Sequence, residues 1–223
     1  MRLRCGITEA ESGVKAPQLP RVLPLAELPR DLPDEHETYS HLDYQGLDLA
    51  GRVIERLHFE SVSFTRLNAM ESRFDHLRLE DVRFTDCNLA TAAWPNMSCA
   101  RVEFITCRMT GFTTEEALFQ DTVFRECKID LAQFYQAKMR GARFEECPLT
   151  GADFRKADLT GAVFMRCDLS NCDFTGATLA GADLRGCQID GMRAGPAELR
   201  GAIVDEAQAL ALVRAMGITV KIQ

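Results

Sequence analysis

Residues 152–174 have the sequence ADFRKADLTGAVFMRCDLSNCDF, in which a bulky apolar residue recurs every five positions. Alanine or cysteine stands two positions before each bulky residue, and the other three places in each five are mostly polar or glycine. We call the bulky place the centre position, and its class continues without a slip from Tyr44 to Val204. It holds every phenylalanine of the chain except Phe112, which falls two residues before a centre position.

A five-residue period fits neither a helix nor a flat strand. On an α-helix, at about 100° per residue, successive centre residues would scatter around the axis. On a flat strand, where side chains alternate between faces, an odd spacing would send them to opposite faces. The pattern is satisfied if the chain turns a corner once per repeat, so that both apolar residues of a short extended segment point inward. Repeats of this kind stack and bury their apolar pairs against one another.

A longer period of twenty residues indicates how many segments form one coil. Phenylalanines follow two twenty-residue series, and cysteines recur at the small inward position with the same spacing. The cysteine series is Cys87, Cys107, Cys127, Cys147, Cys167 and Cys187. Four segments therefore form one coil of a square prism, with phenylalanine on two opposite sides and aliphatic residues on the other two. Residues 41–204 hold about eight coils, which at about 4.8 Å per stacked strand make a rod about 40 Å long.

The motif resembles the pentapeptide-repeat family, whose A-(D/N)-L-x-x pattern occurs here in several copies. They include Ala152-Asp153-Phe154, Ala157-Asp158-Leu159, Cys167-Asp168-Leu169, Cys172-Asp173-Phe174 and Ala182-Asp183-Leu184. The resemblance implies an all-β solenoid, a right-handed quadrilateral β-helix of about eight 20-residue coils, and its handedness is taken from the family alone. Family members of the Qnr and MfpA type bind DNA gyrase and topoisomerase IV. This chain is similar to them in style but lacks the inserted loops of the Qnr group.

The two ends of the chain differ from the repeat. Residues 1–40 contain five of the eight prolines and are predicted to form an extended arm, which covers the strand edge of the first coil or binds a partner. Residues 205–223 are predicted to form a short capping helix and tail, with Asp205 as N-cap and Gln208 three residues on. The apolar residues of this helix would seal the last coil, or would join two rods in a homodimer as in the gyrase-binding members. The candidates for that contact are Leu212, Val213 and Met216.

The residues that would support catalysis or metal binding are explained by the repeat itself. Eight of the nine cysteines lie at inward positions, where cysteine behaves as a small apolar residue, and none forms a close pair with zinc-site spacing. The aspartates of the repeat stand beside centre positions, where we expect local hydrogen bonds near corners. We therefore predict no enzyme, no cofactor and no metal site. A carbohydrate-active β-helix enzyme would need a cleft of converging carboxylates, which the pattern does not isolate.

Charge and irregularities in the repeat indicate where a partner would bind. The 33 acidic and 26 basic residues give a net charge of −7, which argues against direct nucleic-acid binding. The segment 94–117 has Phe112 at a small position and Thr114 at a centre position, and we expect this coil to bulge. The candidate partner-binding surface consists of acidic residues near that segment. These are Glu115, Glu116, Asp121, Glu126, Glu145 and Glu146.

Two hypotheses of function follow, and both describe a protein-binding rod without enzymatic activity. In the first, an acidic rod of about duplex width occupies the DNA-binding surface of a type II topoisomerase and protects it from quinolones or toxins. In the second, the rod is a general interaction scaffold with an unrelated partner. The chain has no apolar run of membrane-spanning length and no signal-peptide core at its start, so we expect a cytoplasmic protein.

Overall fold

The computed structural model describes residues 13–27 and 33–221 and places them in a parallel β-solenoid that ends in a short helix. The elements are β1 (Thr38–Ser40), β2 (Asp43–Gln45), β3 (Val53–Glu55), β4 (His58–Thr65), β5 (Arg73–Asp75), β6 (Arg78–Thr85), β7 (Ser98–Ile105), β8 (Leu118–Arg125), β9 (Arg143–Glu145), β10 (Val163–Met165) and α1 (Glu206–Ala215). The strands pair in parallel at an offset of twenty residues, as Phe64 does with Phe84 and Phe84 with Phe104. The predicted solenoid with a C-terminal helix is confirmed.

The strand pairs form one main sheet and one small sheet. The main sheet has the order β1-β4-β6-β7-β8-β9-β10, with β2 also paired to β4, and the small sheet consists of β3 and β5. Isolated bridges with the same offset continue the pairing as far as Asp183 and Ile203. The regular strands make about six turns, somewhat fewer than the eight coils predicted, because single bridges replace strands in the last coils.

Two columns of aromatic rings, almost all phenylalanine, run through the core. We number the four sides of the solenoid in chain order, beginning with the side that carries Phe59 and followed by the side that carries Phe64. On the second side, successive rings from Phe64 to Phe164 lie 4.8 to 5.0 Å apart between centroids and nearly parallel. The rings of the second and fourth sides meet edge to face, as Phe144 and Phe154 do at 6.1 Å and 84°. Both geometries are favourable for aromatic pairs, which adds to the apolar burial that stacks the coils.

Each corner of the solenoid is turned by one residue in the left-handed conformation. From His36 to Gly191, the residue two positions after each centre position has a positive φ. Of these corner residues, 22 are not glycine. A non-glycine residue in this conformation costs about 1–2 kcal/mol because its Cβ crowds the following carbonyl oxygen. The corners form four edges, which we number by the side that precedes each, so that Asp81 and Asp121 lie on the first edge.

Replacing a corner leucine by glycine is expected to stabilise the protein. Leu131, on the third edge, has φ 58° and is 61% exposed, so its side chain contributes little burial. We expect Leu131→Gly to raise the free energy of unfolding by roughly 1 kcal/mol, measured by urea denaturation. The matched control is Gln133→Gly, an exposed residue at a bridge position, which should lower stability by about 0.5–1 kcal/mol. A loss of stability in Leu131→Gly would contradict the assignment of strain to the corner.

The segment 94–117 keeps the twenty-residue register of the other coils, so the prediction that this coil bulges is wrong. Thr113 pairs with Gln133 at the usual offset, and both Phe112 and Thr114 are fully buried. The two departures compensate each other, because Phe112 adds a ring at the small position while Thr114 removes one at the centre position. The Thr114 hydroxyl donates to the carbonyl oxygen of Trp94 at 2.8 Å, so its polar group is satisfied.

The first strand lies inside the segment that the sequence assigned to the arm. Tyr39, in β1, occupies a centre position and pairs with Phe59, with ring centroids 5.8 Å apart. Leu25 forms a parallel bridge with Asp43, so the arm also contributes backbone hydrogen bonds to the first coil. These contacts cover part of the strand edge at the start of the solenoid.

Candidate interaction surfaces

The six candidate acidic residues lie on three different edges and not on one face. Glu116 lies on the fourth edge with Glu115 beside it, Asp121 on the first edge and Glu126 on the second, so one coil turns the three groups away from one another. Glu145 and Glu146 belong to the next coil and stack beside Arg125 and Glu126 at the second edge. The structure thus brings only the last three of the six together.

Arginines neutralise several of these carboxylates. Glu145 accepts from Arg125 at 2.8 Å and from Arg143 at 3.2 Å, and Glu146 forms an ion pair with Arg166. Ion pairs also join residues on neighbouring coils elsewhere along the rod, as Arg83 and Glu103 do at 2.8 Å. Because basic side chains pair with several of the candidate carboxylates, the six candidate residues do not form a continuous acidic face.

A groove on the first side combines apolar and basic groups. It has a volume of about 410 Å³ and is lined by Leu118, Phe119, Gln120, Lys138, Arg140 and Asp158. Leu118 is an apolar residue at an outward place, and it is 44% exposed. Arg140 pairs with Asp158 at 2.5 Å, and the chain carries Lys138 beside it as a further cation. The groove lies where β8, the last strand to run through a corner, gives way to isolated bridges.

An aromatic and cationic cluster lies on the same coil just before the groove. The Lys156 ammonium donates to the Tyr135 hydroxyl at 2.9 Å and lies 5.3 Å from the centre of its ring. The Arg155 guanidinium lies 5.8 Å from the same ring centre and forms an ion pair with Asp153 at 2.6 Å. Tyrosine and arginine side chains at a protein surface are typical contributors to protein interfaces.

The N-terminal arm lies along the first edge. The backbone N–H of Lys15 donates to Oδ1 of Asp121 at 3.3 Å, and that of Gln18 donates to Oδ1 of Asp81 at 2.8 Å. Hydrogen bonding with Arg101, aided by the Gln18 N–H, lowers the pKa of Asp81. The described arm therefore reaches from the first coil to the coil of Asp121, well beyond the edge it was predicted to cover.

The cysteine series is part of the core, as the sequence predicted. Each of the eight cysteines in the described residues is a buried free thiol, and Cys5 lies outside those residues. Seven of these thiols donate weakly to carbonyl oxygens of the neighbouring coil, as Cys127 does to Phe104 at 3.2 Å. A hydrogen bond with Cys147, together with burial, raises the pKa of Cys167 to about 12, and burial raises the pKa of Cys172 to about 12. Cys167 and Cys172 therefore remain protonated and unreactive near neutral pH.

The raised thiol pKa values predict alkaline destabilisation. An unfolded cysteine ionises near pH 8.5, so above that pH the unfolded chain releases protons that the folded chain retains. The stabilising contribution of Cys172 is complete below about pH 8.5 and is lost as pH rises towards its folded pKa of about 12. We expect the loss to approach 1.4 kcal/mol per pH unit for this residue, measured by urea denaturation between pH 8 and pH 11. Cys172→Ala, which installs the commonest residue at that place, should flatten the slope, and an unchanged slope would contradict the prediction.

The C-terminal helix begins with the capping box that the sequence predicted. The Asp205 side chain accepts from the N–H of Gln208 at 3.0 Å, and Gln208 Oε1 accepts from the N–H of Asp205 at 2.9 Å. Of the three candidate contact residues, Leu212 packs against the core, Val213 is partly exposed and Met216 is 43% exposed. With Leu212 used internally, a dimer contact through Met216 stays a prediction.

Three features were missed by the sequence interpretation. Leu118 departs from the polar class of its outward place, which a scan of outward positions for apolar residues would have found. Asp81 was overlooked because it looks like an ordinary corner residue, and its role depends on the path of the arm. Gln208 was assigned to the helix cap, but its side-chain amide also donates to the carbonyl oxygens of Leu184 at 2.6 Å and Cys187 at 2.8 Å.

No cluster that suits a metal ion occurs among the described residues. Within the same residues no helix has the length and apolar character needed to cross a bilayer. The features that remain are a square parallel solenoid of five-residue repeats, its capped ends and its outward surface. They define a class of repeat proteins whose coils bury their cores against one another.

The family follows from the repeat sequence itself. Residues 97–169 and 137–207 match the family model described as "Pentapeptide repeat region". The chain belongs to the pentapeptide-repeat family. No curated protein matches it in sequence.

The solved structures to which this chain is similar have low sequence identity to it. One is QnrB1, a plasmid-mediated fluoroquinolone resistance protein, with 21% identity, a TM-score of 0.43 and coverage of 82% of this chain and 99% of that chain. Another is HetL, a pentapeptide repeat protein involved in heterocyst differentiation regulation from the cyanobacterium Nostoc sp. strain PCC 7120. It has 18% identity, a TM-score of 0.36 and coverage of 77% of this chain and 91% of that chain. At these values the likeness carries no information about a partner.

Proposed function

We propose that this chain is a non-enzymatic protein-binding rod and that the groove beside Leu118 is its contact surface. The observation that carries the proposal is an exposed leucine at a place that is elsewhere mostly polar, in a groove with Lys138 and Arg140. The stacked core supplies rigidity, so a partner meets a preformed surface and little ordering cost is paid on binding. Apolar contact flanked by cations suits an acidic amphipathic segment of a protein.

Site-specific photo-crosslinking in the producing cell tests this proposal. A photoreactive residue in place of Gln120, in the groove, should give a discrete crosslinked species that disappears when Leu118→Glu is added. The matched control places the same residue at Thr178, which lies on the first side beyond the groove and should give no such species. Equal crosslinking from both positions, or a product insensitive to Leu118→Glu, would reject the groove as the contact surface.

A type II topoisomerase such as DNA gyrase or topoisomerase IV is a more specific candidate partner, with the rod acting as a DNA mimic. The net charge of −7 and the linear shape support it. The arginine ion pairs weaken it, because they leave isolated carboxylates such as Glu126 in place of a continuous anionic face. Supercoiling assays with purified gyrase and up to micromolar rod are decisive for this candidate. Unchanged supercoiling and no co-elution on size exclusion would exclude gyrase while leaving the scaffold function untouched.

A further inference from the structure

The spacing of the arm contacts on the first edge has a regular basis. Asp81 and Asp121 are two coils apart on this edge, a separation of about 9.6 Å at about 4.8 Å per coil. They accept from the backbone N–H groups of Gln18 and Lys15, which are three residues apart. Three residues of polyproline II helix advance about 9.3 Å and complete one turn. An extended segment in this conformation therefore presents an N–H group to each carboxylate in turn.

The burial of the arm follows the same three-residue period. Val14 and Pro17 are buried, whereas Lys15 and Gln18, which follow them, are exposed. Because polyproline II helix repeats every three residues, residues 14 and 17 lie on one face of such a segment. Pro17 also fixes its own φ near −65°, which favours this conformation before docking.

The adjoining part of the second side forms a floor for that buried face. Glu103, Val123 and Arg143 occupy outward places on successive coils, yet all three are buried. On the same side, Arg83 and Val163, one coil beyond at either end, are only partly buried. The covered patch centres on Val123, two residues from the carboxylate that holds Lys15, so we place it beneath the arm. An apolar residue between two charged ones suits a segment that buries an apolar side chain and a proline.

We propose that the first edge from Asp81 to Asp121, with Val123 as its floor, is a binding site for an extended, proline-containing segment of a partner protein. The carboxylates recognise backbone N–H groups, and the floor recognises an apolar residue followed three positions later by proline. The chain's own residues 14–18 occupy the site when that partner is absent. The inference rests on the proposed protein-binding function and adds the chemistry of a partner segment at a second surface, which adjoins the groove where Asp121 follows Gln120.

Occupation by the arm makes the site competitive. An intramolecular segment acts at a high effective concentration, so a free segment of equal intrinsic affinity binds weakly until the arm is released. The apparent affinity for a partner equals the intrinsic affinity multiplied by the fraction of molecules in which the site is open. Substitutions in the arm should therefore strengthen binding of an external segment, whereas substitutions in the edge should weaken it.

Fluorescence anisotropy with the full chain tests the proposal. The probe is a labelled synthetic peptide with the sequence of residues 13–27, and the open-site protein carries Val14→Glu and Pro17→Glu in its own arm. We expect the peptide to bind this variant at least tenfold more tightly than it binds the unaltered chain. Adding Asp81→Asn and Asp121→Asn to the open-site variant should reduce binding at least tenfold. The matched control Asp130→Asn, on the third side, should leave it unchanged.

A second probe separates backbone recognition from general stickiness. The second probe is the same peptide with an N-methyl group at the residue equivalent to Gln18, so it lacks the N–H that donates a hydrogen bond to Asp81. Its affinity for the open-site variant should be at least tenfold lower. No binding to a folded open-site variant, or binding insensitive to the two aspartate substitutions, would overturn the proposal. A dimer of the unaltered chain that the peptide dissociates would assign the site to arm exchange between two copies and would also overturn it. The loss of Gln120 crosslinking on Leu118→Glu is independent of all these outcomes, because Leu118 is not part of the edge site.

Discussion

Phe112→Ala is expected to lower the free energy of unfolding by about 3–5 kcal/mol, and adding Thr114→Phe should restore most of that loss. Phe112 is fully buried, and its ring centroid lies 5.4 Å from that of Trp94 in an edge-to-face contact. Truncation leaves a cavity, because Thr114 is too small to fill the centre position beside it. The double variant places alanine and phenylalanine where residues 132 and 134 of the next coil already have them.

A double-mutant cycle by urea denaturation measures this coupling. Thr114→Phe alone should destabilise by about 1–3 kcal/mol, because the ring of Phe112 already occupies the space that a second ring would need. The interaction energy between the two changes should therefore exceed about 3 kcal/mol in favour of the double variant. The control cycle pairs Phe112→Ala with Phe164→Leu, several coils away, for which the two losses should simply add. Additive losses in the first cycle would show that the two residues do not share one space.

Gln208→Glu is expected to cost about 2–4 kcal/mol although it preserves the capping box. The glutamate oxygen still accepts from the N–H of Asp205, so the helix start keeps its acceptor. The amide nitrogen, however, donates to the carbonyl oxygens of Leu184 and Cys187, and a carboxylate there sets oxygen against oxygen in a buried place. Loss of two hydrogen bonds and the burial of an unpaired charge account for the expected loss.

Urea denaturation gives the stability change, and size exclusion shows whether the end of the rod becomes exposed. Gln136→Glu, an exposed corner residue, is the matched control and should change stability by less than about 0.5 kcal/mol. If α1 detaches in the Gln208→Glu variant, the open strand edge should promote end-to-end association that increases with concentration. Equal stability of the two variants would mean that the solenoid end is sealed without the Gln208 amide.

The sequence predicted the inward half of this molecule well because one physical requirement repeats without interruption. Every inward place from Tyr44 to Ile189 is buried except Arg52. The five-residue period therefore predicted the core residues correctly. The cap at Asp205 was also predictable, since a capping box depends on residues three positions apart.

Features that depend on residues far apart in sequence were not predictable in this way. The bulge expected near Phe112 was wrong because Thr114 compensates for it, and the period alone does not weigh one departure against another. The contact of Lys15 with Asp121 joins residues 106 positions apart through a backbone group, which leaves no side-chain pattern. The groove at Leu118 lies where continuous strands give way to isolated bridges. The residues at centre positions do not indicate this change in the shape of the corners.

The constant twenty-residue offset between paired strands has an evolutionary consequence. Loss or duplication of one complete coil leaves the remaining coils in the same twenty-residue register. Every inward position therefore still stacks on an inward position of the next coil, and every outward residue stays on the same side of the solenoid. A gain or loss of any other length would rotate all later surfaces relative to the earlier ones. The distance between the arm-bearing end and the helical end can therefore drift over generations in steps of about 4.8 Å, while the direction in which each surface faces is conserved.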